Sequence, residues 1–189
     1  MLAAGHTGLR STPVGDGDDG VPAVELVGPE VVRPLRRAVL RPDGPPGAAH
    51  YPGDDAPGTA HAAVRDPGGA VLAVGTILPE APPWDPRARP AWRIRGMAAE
   101  PWARRRGLGT GVLRALLAHA AAHGGGLVWC HARVAACHLY ERAGFEGDGP
   151  VFELPGIGPH RTMRRLVAGV GPAPEDGPGL GRPDPPVPT

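Results

Sequence analysis

The sequence predicts an α+β domain. Two short β-type runs meet at Asp66-Pro67-Gly68-Gly69, a strand-like run feeds an amphipathic helical run at the centre, and two further β-type runs close the chain. At 189 residues there is room for one domain with a sizeable core. A hydrophobic fraction of 41% suits a globular protein, whereas 30 Gly and 26 Pro exceed average usage and must collect in loops and tails.

The organisation read from this is a disordered tail over 1–20, a folded domain over 21–168 and a second disordered, Pro/Gly-rich tail over 169–189. Neither tail carries enough periodic apolar residues to offset its ordering entropy. Within the domain, 21–27 reads as a short strand. A helix follows over 29–40, with Val31, Val32, Leu35 and Leu40 as its apolar residues and Pro34 in its path. Residues 41–59 are too rich in Pro, Gly and Asp for a regular element and form a loop. The runs 60–65 and 70–78 form a hairpin, and a second Pro-rich loop spans 79–90. In 91–99, Trp92 and Ile94 alternate with Arg93 and Arg95, the period of a strand with one face inward. Residues 105–123 set Leu108, Val112, Leu116 and Ala120 at helical spacing and stop at Gly124. A short buried-type strand over 127–131 leads to a second helix over 133–143, ended by Gly144. Residues 145–154 and 160–167 make the closing hairpin.

Composition removes several function classes. Twenty cationic residues against 19 acidic ones give a formal net charge of +1, so no global field favours nucleic acid or an anionic membrane. All twenty cations are arginine. Without lysine there is neither a Schiff-base lysine, as pyridoxal phosphate enzymes need, nor a P-loop lysine. Cys130 and Cys137 are the only cysteines, and no basic-then-apolar signal opens the chain; both favour a reduced, cytoplasmic setting. No apolar run approaches the ~20 residues that span a bilayer. An aromatic content of 4% argues against a broad stacking surface for single-stranded nucleic acid and for a small polar acceptor.

The segment Arg104-Arg105-Arg106-Gly107-Leu108-Gly109-Thr110-Gly111 stands between a strand and an amphipathic helix. Backbone N–H groups at a helix N-terminus would there meet an anion, with arginines beside them. Gly107 and Gly109 let a diphosphate approach the backbone closely. A P-loop would require Gly-Lys-Ser/Thr. A dinucleotide fingerprint would require a third small residue where Val112 stands.

The remaining pattern, Arg/Gln-x-x-Gly-x-Gly/Ala, is met by Arg104, Gly107 and Gly109, and here the sequence resembles the GNAT acetyltransferases. Leu139-Tyr140-Glu141-Arg142-Ala143-Gly144-Phe145, about 30 residues downstream, is similar to that family's Tyr-x-x-x-Gly-Phe signature. The resemblance runs from about Val21 to Val167, carried mainly by Trp92 to Phe145. It implies the GNAT acyl-CoA acyltransferase fold: a twisted mixed β-sheet flanked by helices and split to admit the CoA of acetyl-CoA. Pantetheine would pair near Met97, Ala98 and Ala99, and the pyrophosphate would sit on Arg104, Arg105, Arg106, Gly107, Leu108, Gly109 and Thr110. The implied activity is N-acetyl transfer from the thioester directly to an amine in a ternary complex.

The same resemblance makes Tyr140 the general acid at the thiolate and a backbone N–H near Met97 or Ala98 the oxyanion donor. The glutamate that some members place before the loop is replaced here by Arg93, and the family's helix-start asparagine by Arg133. Glu80 and His160 are the chemically able candidates for the base, beside a water chain to solvent. His50, Tyr51, Asp54, Asp55 and His61 are either acceptor-site residues or loop polars. No metal is expected: His119 and His123 lack a third ligand nearby, and Cys130-His131 and Cys137-His138 lack close Cys-x-x-Cys spacing. The expected partners are acetyl-CoA and an amine, with no nucleic acid and no membrane, and a homodimer stays open. The alternative is a non-catalytic, CoA-binding sensory module on the same fold.

Overall fold

The computed structural model describes residues 22–170. The tails predicted at 1–20 and 169–189 lie outside these residues, except Gly169 and Val170. The Val170 N–H donates to the Ala121 carbonyl at 2.8 Å.

Seven strands form one mixed sheet. β1 (Val24–Val27), β2 (Ala60–Arg65), β3 (Val71–Pro79) and β4 (Ala91–Ala99) make an antiparallel meander. β5 (Gly125–Arg133), β6 (Glu146–Leu154) and β7 (Gly158–Ala168) make the other half, with β7 inserted between β5 and β6. The strand order is β1-β2-β3-β4-β5-β7-β6, and only β4 and β5 run parallel.

Helix α1 (Pro29–Leu40) covers the first face of the meander, burying Val32 and Leu35 against Ala63, Val74 and Ala98. Pro34 does not break it: proline forfeits one intrahelical bond, and burial of the residues around it outweighs that loss. Helix α2 (Leu108–Ala122) covers the second face, with Val112, Leu113, Leu116 and Ala120 fully buried on Ala62, Val64, Ile77, Ile94 and Val128. Helix α3 (Cys137–Arg142) packs on the same face, through Cys137 and Tyr140.

The predicted elements are all present; α1, β2 and β4 have the predicted ends, and the ends of others are shifted. The helix expected from 105 starts at Leu108, because Arg105 (φ 62°) and Gly107 (φ 79°) are left-handed. The helix expected over 133–143 is a 3-10 turn, Val134–Ala136, followed by the six residues of α3. The central strand is longer than the predicted 127–131. Its added start, Gly125-Gly126, has positive φ and lies so close to backbone of Val167 and Pro90 that no Cβ would fit.

Two departures from regularity shape the centre of the sheet. β4 and β5 pair only through Ala91/Leu127, Trp92/Val128 and Arg93/Trp129, and beyond that the strands diverge. β4 also carries a bulge: Val74 faces Ala98 and Thr76 faces Arg95, so Gly96 and Met97 together oppose Gly75. Gly96 is left-handed, with φ 62°.

Candidate active site

The V-shaped opening between β4 and β5 gathers most of the residues singled out from the sequence. Met97, Ala98 and Ala99 form its β4 edge. One 3-10 turn later (Pro101–Ala103) the chain enters the glycine loop, and the Nε of Arg104 donates to the Ala99 carbonyl at 3.3 Å, tying loop to strand. The left-handed residues Arg105 and Gly107 curl this loop into a nest of backbone N–H groups. The first bond of α2 runs from the Gly111 N–H to the Gly107 carbonyl at 3.0 Å. The amides of Leu108, Gly109 and Thr110 are thus left without a backbone acceptor among the described residues. A Cβ built on Gly109 would meet only Leu139, at 3.6 Å, so the protein's own packing does not demand glycine there. Arg106 stacks on the exposed Trp102, 5.8 Å from its ring centre. From Thr110 a groove of about 1140 Å³ runs between α2 and α3, walled in part by Arg114, Leu139 and Arg142.

Tyr140 lies on the second face, in the core cluster that also holds Cys130. Its ring is buried, edge-on to Phe145 at 5.5 Å, and its hydroxyl meets the Cys130 thiol. Gly144 supplies the left-handed turn that ends α3 and lets the Phe145 N–H bond the Tyr140 carbonyl at 3.0 Å. Burial, and then the neighbouring thiol, raise the phenol well above its ordinary value. Burial likewise pushes the Cys130 thiol up to about 12. Both groups therefore keep their protons at neutral pH.

The first face of the opening is different in kind. Side chains alternate along β5, so Val128, Cys130 and Ala132 enter the core under α2, while Trp129 and His131 face the other way. There a row of rings runs from Trp84 to Trp129 (5.4 Å), to His131 (5.3 Å), to Phe152 (5.0 Å) and on to His160 (6.3 Å). Three of the eight Phe, Trp and Tyr residues thus share one surface, a placement that the aromatic content cannot show. Arg93 lies over Trp129 and donates to Glu80 at 2.8 Å, and the Trp129 indole N–H bonds the Glu80 carbonyl at 2.9 Å. The His160 Nδ1–H donates to the Gly158 carbonyl at 2.8 Å. The structure thus brings Glu80 and His160 to one face, and adds His131 between them. In the sequence His131 reads only as half of a Cys-His pair, a zinc-ligand pattern without close spacing. The available signal was the strict alternation Trp129, Cys130, His131 on a strand bordering the opening.

The loop polars serve a different purpose. Asp54 is buried and accepts from Arg36 (2.7 Å), from Arg95 (3.0 Å) and from the Tyr51 N–H (3.1 Å). The His61 Nε2–H donates to the Asp54 carbonyl at 2.9 Å, which leaves Nδ1 to accept from Thr76 at 2.8 Å. Burial alone would raise the Asp54 carboxyl, but the Tyr51 N–H and the Arg36 and Arg95 guanidiniums outweigh it and hold the group below its ordinary value. Arg36, fully buried, lies directly under Gly96, where a Cβ would stand 2.6 Å from its Nε. Tyr51, Asp54 and His61 therefore buttress the bulge. His50 and Asp55 are exposed, and Asp55 pairs with Arg33 at 2.9 Å. His119 bonds the Gly58 carbonyl (3.1 Å), its ring 4.1 Å from that of His123.

The sequence matches the Acetyltransferase (GNAT) family over residues 33–145. The chain belongs to this family. It is thereby an acyltransferase. An uncharacterized N-acetyltransferase of Bacillus subtilis strain 168, YitI, is 29% identical over 144 residues, covering 76% of this chain and 95% of that one. The fold is shared with a GNAT superfamily phosphinothricin acetyltransferase from Sinorhizobium meliloti in complex with AcCoA. The TM-score is 0.62 at 17% identity, over 83% of this chain and 95% of that one. It is shared also with an acyl-CoA N-acyltransferase from Pseudomonas aeruginosa, at TM-score 0.60 and 21% identity, over 75% of this chain and 98% of that one. No helix among the described residues is long and apolar enough to cross a membrane.

Proposed function

We propose that this GNAT protein transfers an acetyl group from acetyl-CoA directly to an amine, of a small molecule or a protein, in a ternary complex. The observation that carries the reading is the divergence of β4 from β5 beside an α2 N-terminus whose first amides lack acceptors. The opening suits a slender chain such as pantetheine along Met97, Ala98 and Ala99. The nest over 104–110 suits the pyrophosphate, since helix N-termini and left-handed turns both present N–H groups to anions. Arg114 and Arg142, in the adjoining groove, suit a further phosphate.

When bound, acetyl-CoA supplies an acetyl group already activated as a thioester. The protein's residues then have separate tasks. The bulge at Gly96 and Met97 leaves an extra residue unpaired in the ladder, which supports a strand N–H near Met97 as the donor for the carbonyl oxygen. Tyr140, its phenol held protonated by burial, donates to the sulfur as the thiol leaves. The amine approaches from the first face, where Glu80, His131 and His160 stand. Two buried free thiols, Cys130 and Cys137, fit a cytoplasmic setting, and neither nucleic acid nor membrane enters the reading.

Calorimetric titration with acetyl-CoA tests the site, using the wild-type protein and Gly109→Glu. The variant leaves the fold unstrained but puts a carboxylate against the nest. Saturable binding lost in the variant is the expected outcome. Equal binding by both proteins would remove the loop from the site, and no binding by the wild type would overturn the reading.

A further inference from the structure

Within the acetyltransferase reading just given, on which this inference rests, we propose that His131 is the general base that deprotonates the acceptor amine, through Nε2, from the first face of the β4–β5 opening. Position argues first. His131 is two residues beyond the last β4–β5 pair, so its side chain borders the open part of the V. It follows Cys130, the residue that the Tyr140 hydroxyl meets. Consecutive strand residues point to opposite faces. An acid at the sulfur and a base at the amine therefore stand on the two sides of the slit in which a thioester would lie.

The other candidates are less well placed. His160 is on β7, one strand farther from the opening, opposite Arg133. The Glu80 carboxylate is committed to Arg93, at the closed end of the V. His131 has a partner for one nitrogen only: Nδ1 lies 3.2 Å from the Thr162 hydroxyl, and Nε2 has no hydrogen-bond partner among the described residues. With Nδ1–H donating to Thr162, the Nε2 lone pair is free to accept a proton.

The charges facing this imidazole come from every element around it. Arg93 on β4 and His160 on β7 disfavour a second positive charge, and Glu80, after β3, partly opposes them. Asp148 on β6 and Arg164 on β7 share the face but neutralise each other at 3.4 Å, and Arg133 continues β5 outward. Burial first, then Arg93 and His160, hold His131 below the ordinary histidine value. The ring is therefore neutral, and able to act as a base, at pH 7.

The step balances as follows. Nε2 takes a proton from the ammonium and passes it to solvent. The nitrogen lone pair forms the C–N bond as the carbonyl π pair moves to oxygen, and the second N–H proton leaves by the same route. The C–S bond breaks with its electron pair going to sulfur, which takes the Tyr140 proton, and Tyr140 is reprotonated from water. Amine and thioester become amide and thiol, with one net proton released.

Two measurements test this. Long-range ¹H–¹⁵N spectra of the full chain should show His131 neutral at pH 7 with the proton on Nδ1. A proton on Nε2 would overturn the proposal whatever the acceptor. Thiol release from acetyl-CoA is then followed against phenethylamine, spermidine, glycine and a free-N-terminal tripeptide. With any amine that the wild type accepts, His131→Asn and His131→Gln should lower kcat by about a hundredfold or more. Both should abolish the fall in kcat below the His131 pKa while binding acetyl-CoA like the wild type, and His160→Asn should keep that acidic limb. An acidic limb that survives in both His131 variants, or vanishes in His160→Asn, would refute the assignment. No thiol release by wild type across the panel would instead sink the transferase reading, and the base with it.

Discussion

Asp54 is one buried carboxylate serving two close guanidiniums, Arg36 at 2.7 Å and Arg95 at 3.0 Å, with a third, Arg33, at 3.9 Å. Tyr51 lies under two of them, 4.5 Å from Arg36 and 5.4 Å from Arg95. Removing one partner of a buried ion pair is expensive because the other is left charged and dry. Asp54→Asn should therefore lower unfolding free energy by about 3–5 kcal/mol. Denaturant titration checks this, and a loss below about 1 kcal/mol would mean that water reaches Arg36 freely. The residues of this cluster were visible in the sequence, but their role was not. Asp54 meets Arg36 and Arg95 across separations of 18 and 41 positions, on a helix and a strand that no local pattern links. The placement of Tyr140, by contrast, was legible because Gly144 and Phe145 follow it at fixed offsets, and the turn they form is what locks the ring in place. His131 was hidden by its neighbour: Cys130-His131 reads as a ligand pair until the strand's alternation sends the two side chains to opposite faces.

At the scale of elements, β4 was predicted with both ends correct, from Ala91 to Ala99. Its alternation holds through Trp92, Arg93, Ile94 and Arg95 and then lapses at Gly96. That lapse is the bulge, visible in the sequence only as an absence of pattern. Alanine at Gly96 would be left-handed and would press on Arg36 at 2.6 Å. Gly96→Ala should cost about 1–3 kcal/mol in stability from backbone strain alone. It should also weaken kcat more than acetyl-CoA affinity, since the bulge is assigned to the carbonyl oxygen; equal losses in both would detach it from that task. The glycine loop behaves differently. Its two left-handed residues, Arg105 and Gly107, delay the start of α2 by three positions relative to the helical periodicity. Hydrophobic spacing reports which residues face the core, and Leu108 does so. It cannot report where the backbone first turns helical.

For the whole molecule, the order of strands along the chain left the order in the sheet open. The closing hairpin was expected, but its insertion with β7 beside β5 depends on long-range pairing, from Gly125/Ala168 to Arg133/His160. The result is two antiparallel halves joined by three rungs of parallel ladder, by the Trp92 indole N–H to the Gly125 carbonyl (2.8 Å), and by α2 beneath. If acetyl-CoA lies in the opening, amide hydrogen exchange should slow on addition of the ligand along residues 96–99 and 108–110, and much less in β1 and β2. Uniform slowing would indicate only global stabilisation by binding, about 2.7 kcal/mol at a hundredfold excess over Kd.

The outer rims of the sheet are blunted: β1 has only four residues, with Glu25 tied to Arg65, and β6 is irregular between Asp148 and Phe152. The bare strand edges that remain lie inside the sheet, along the V, where a foreign peptide would have to enter between two fixed neighbours. A β-strand carries side chains toward both faces, and here the second face of β5 is covered by the cluster that holds Cys130, Ala132 and Tyr140. An unbranched chain has nothing to collide with. The same gap that leaves the ladder unfinished should therefore act as a sieve against the strand addition through which exposed edges lead to aggregation.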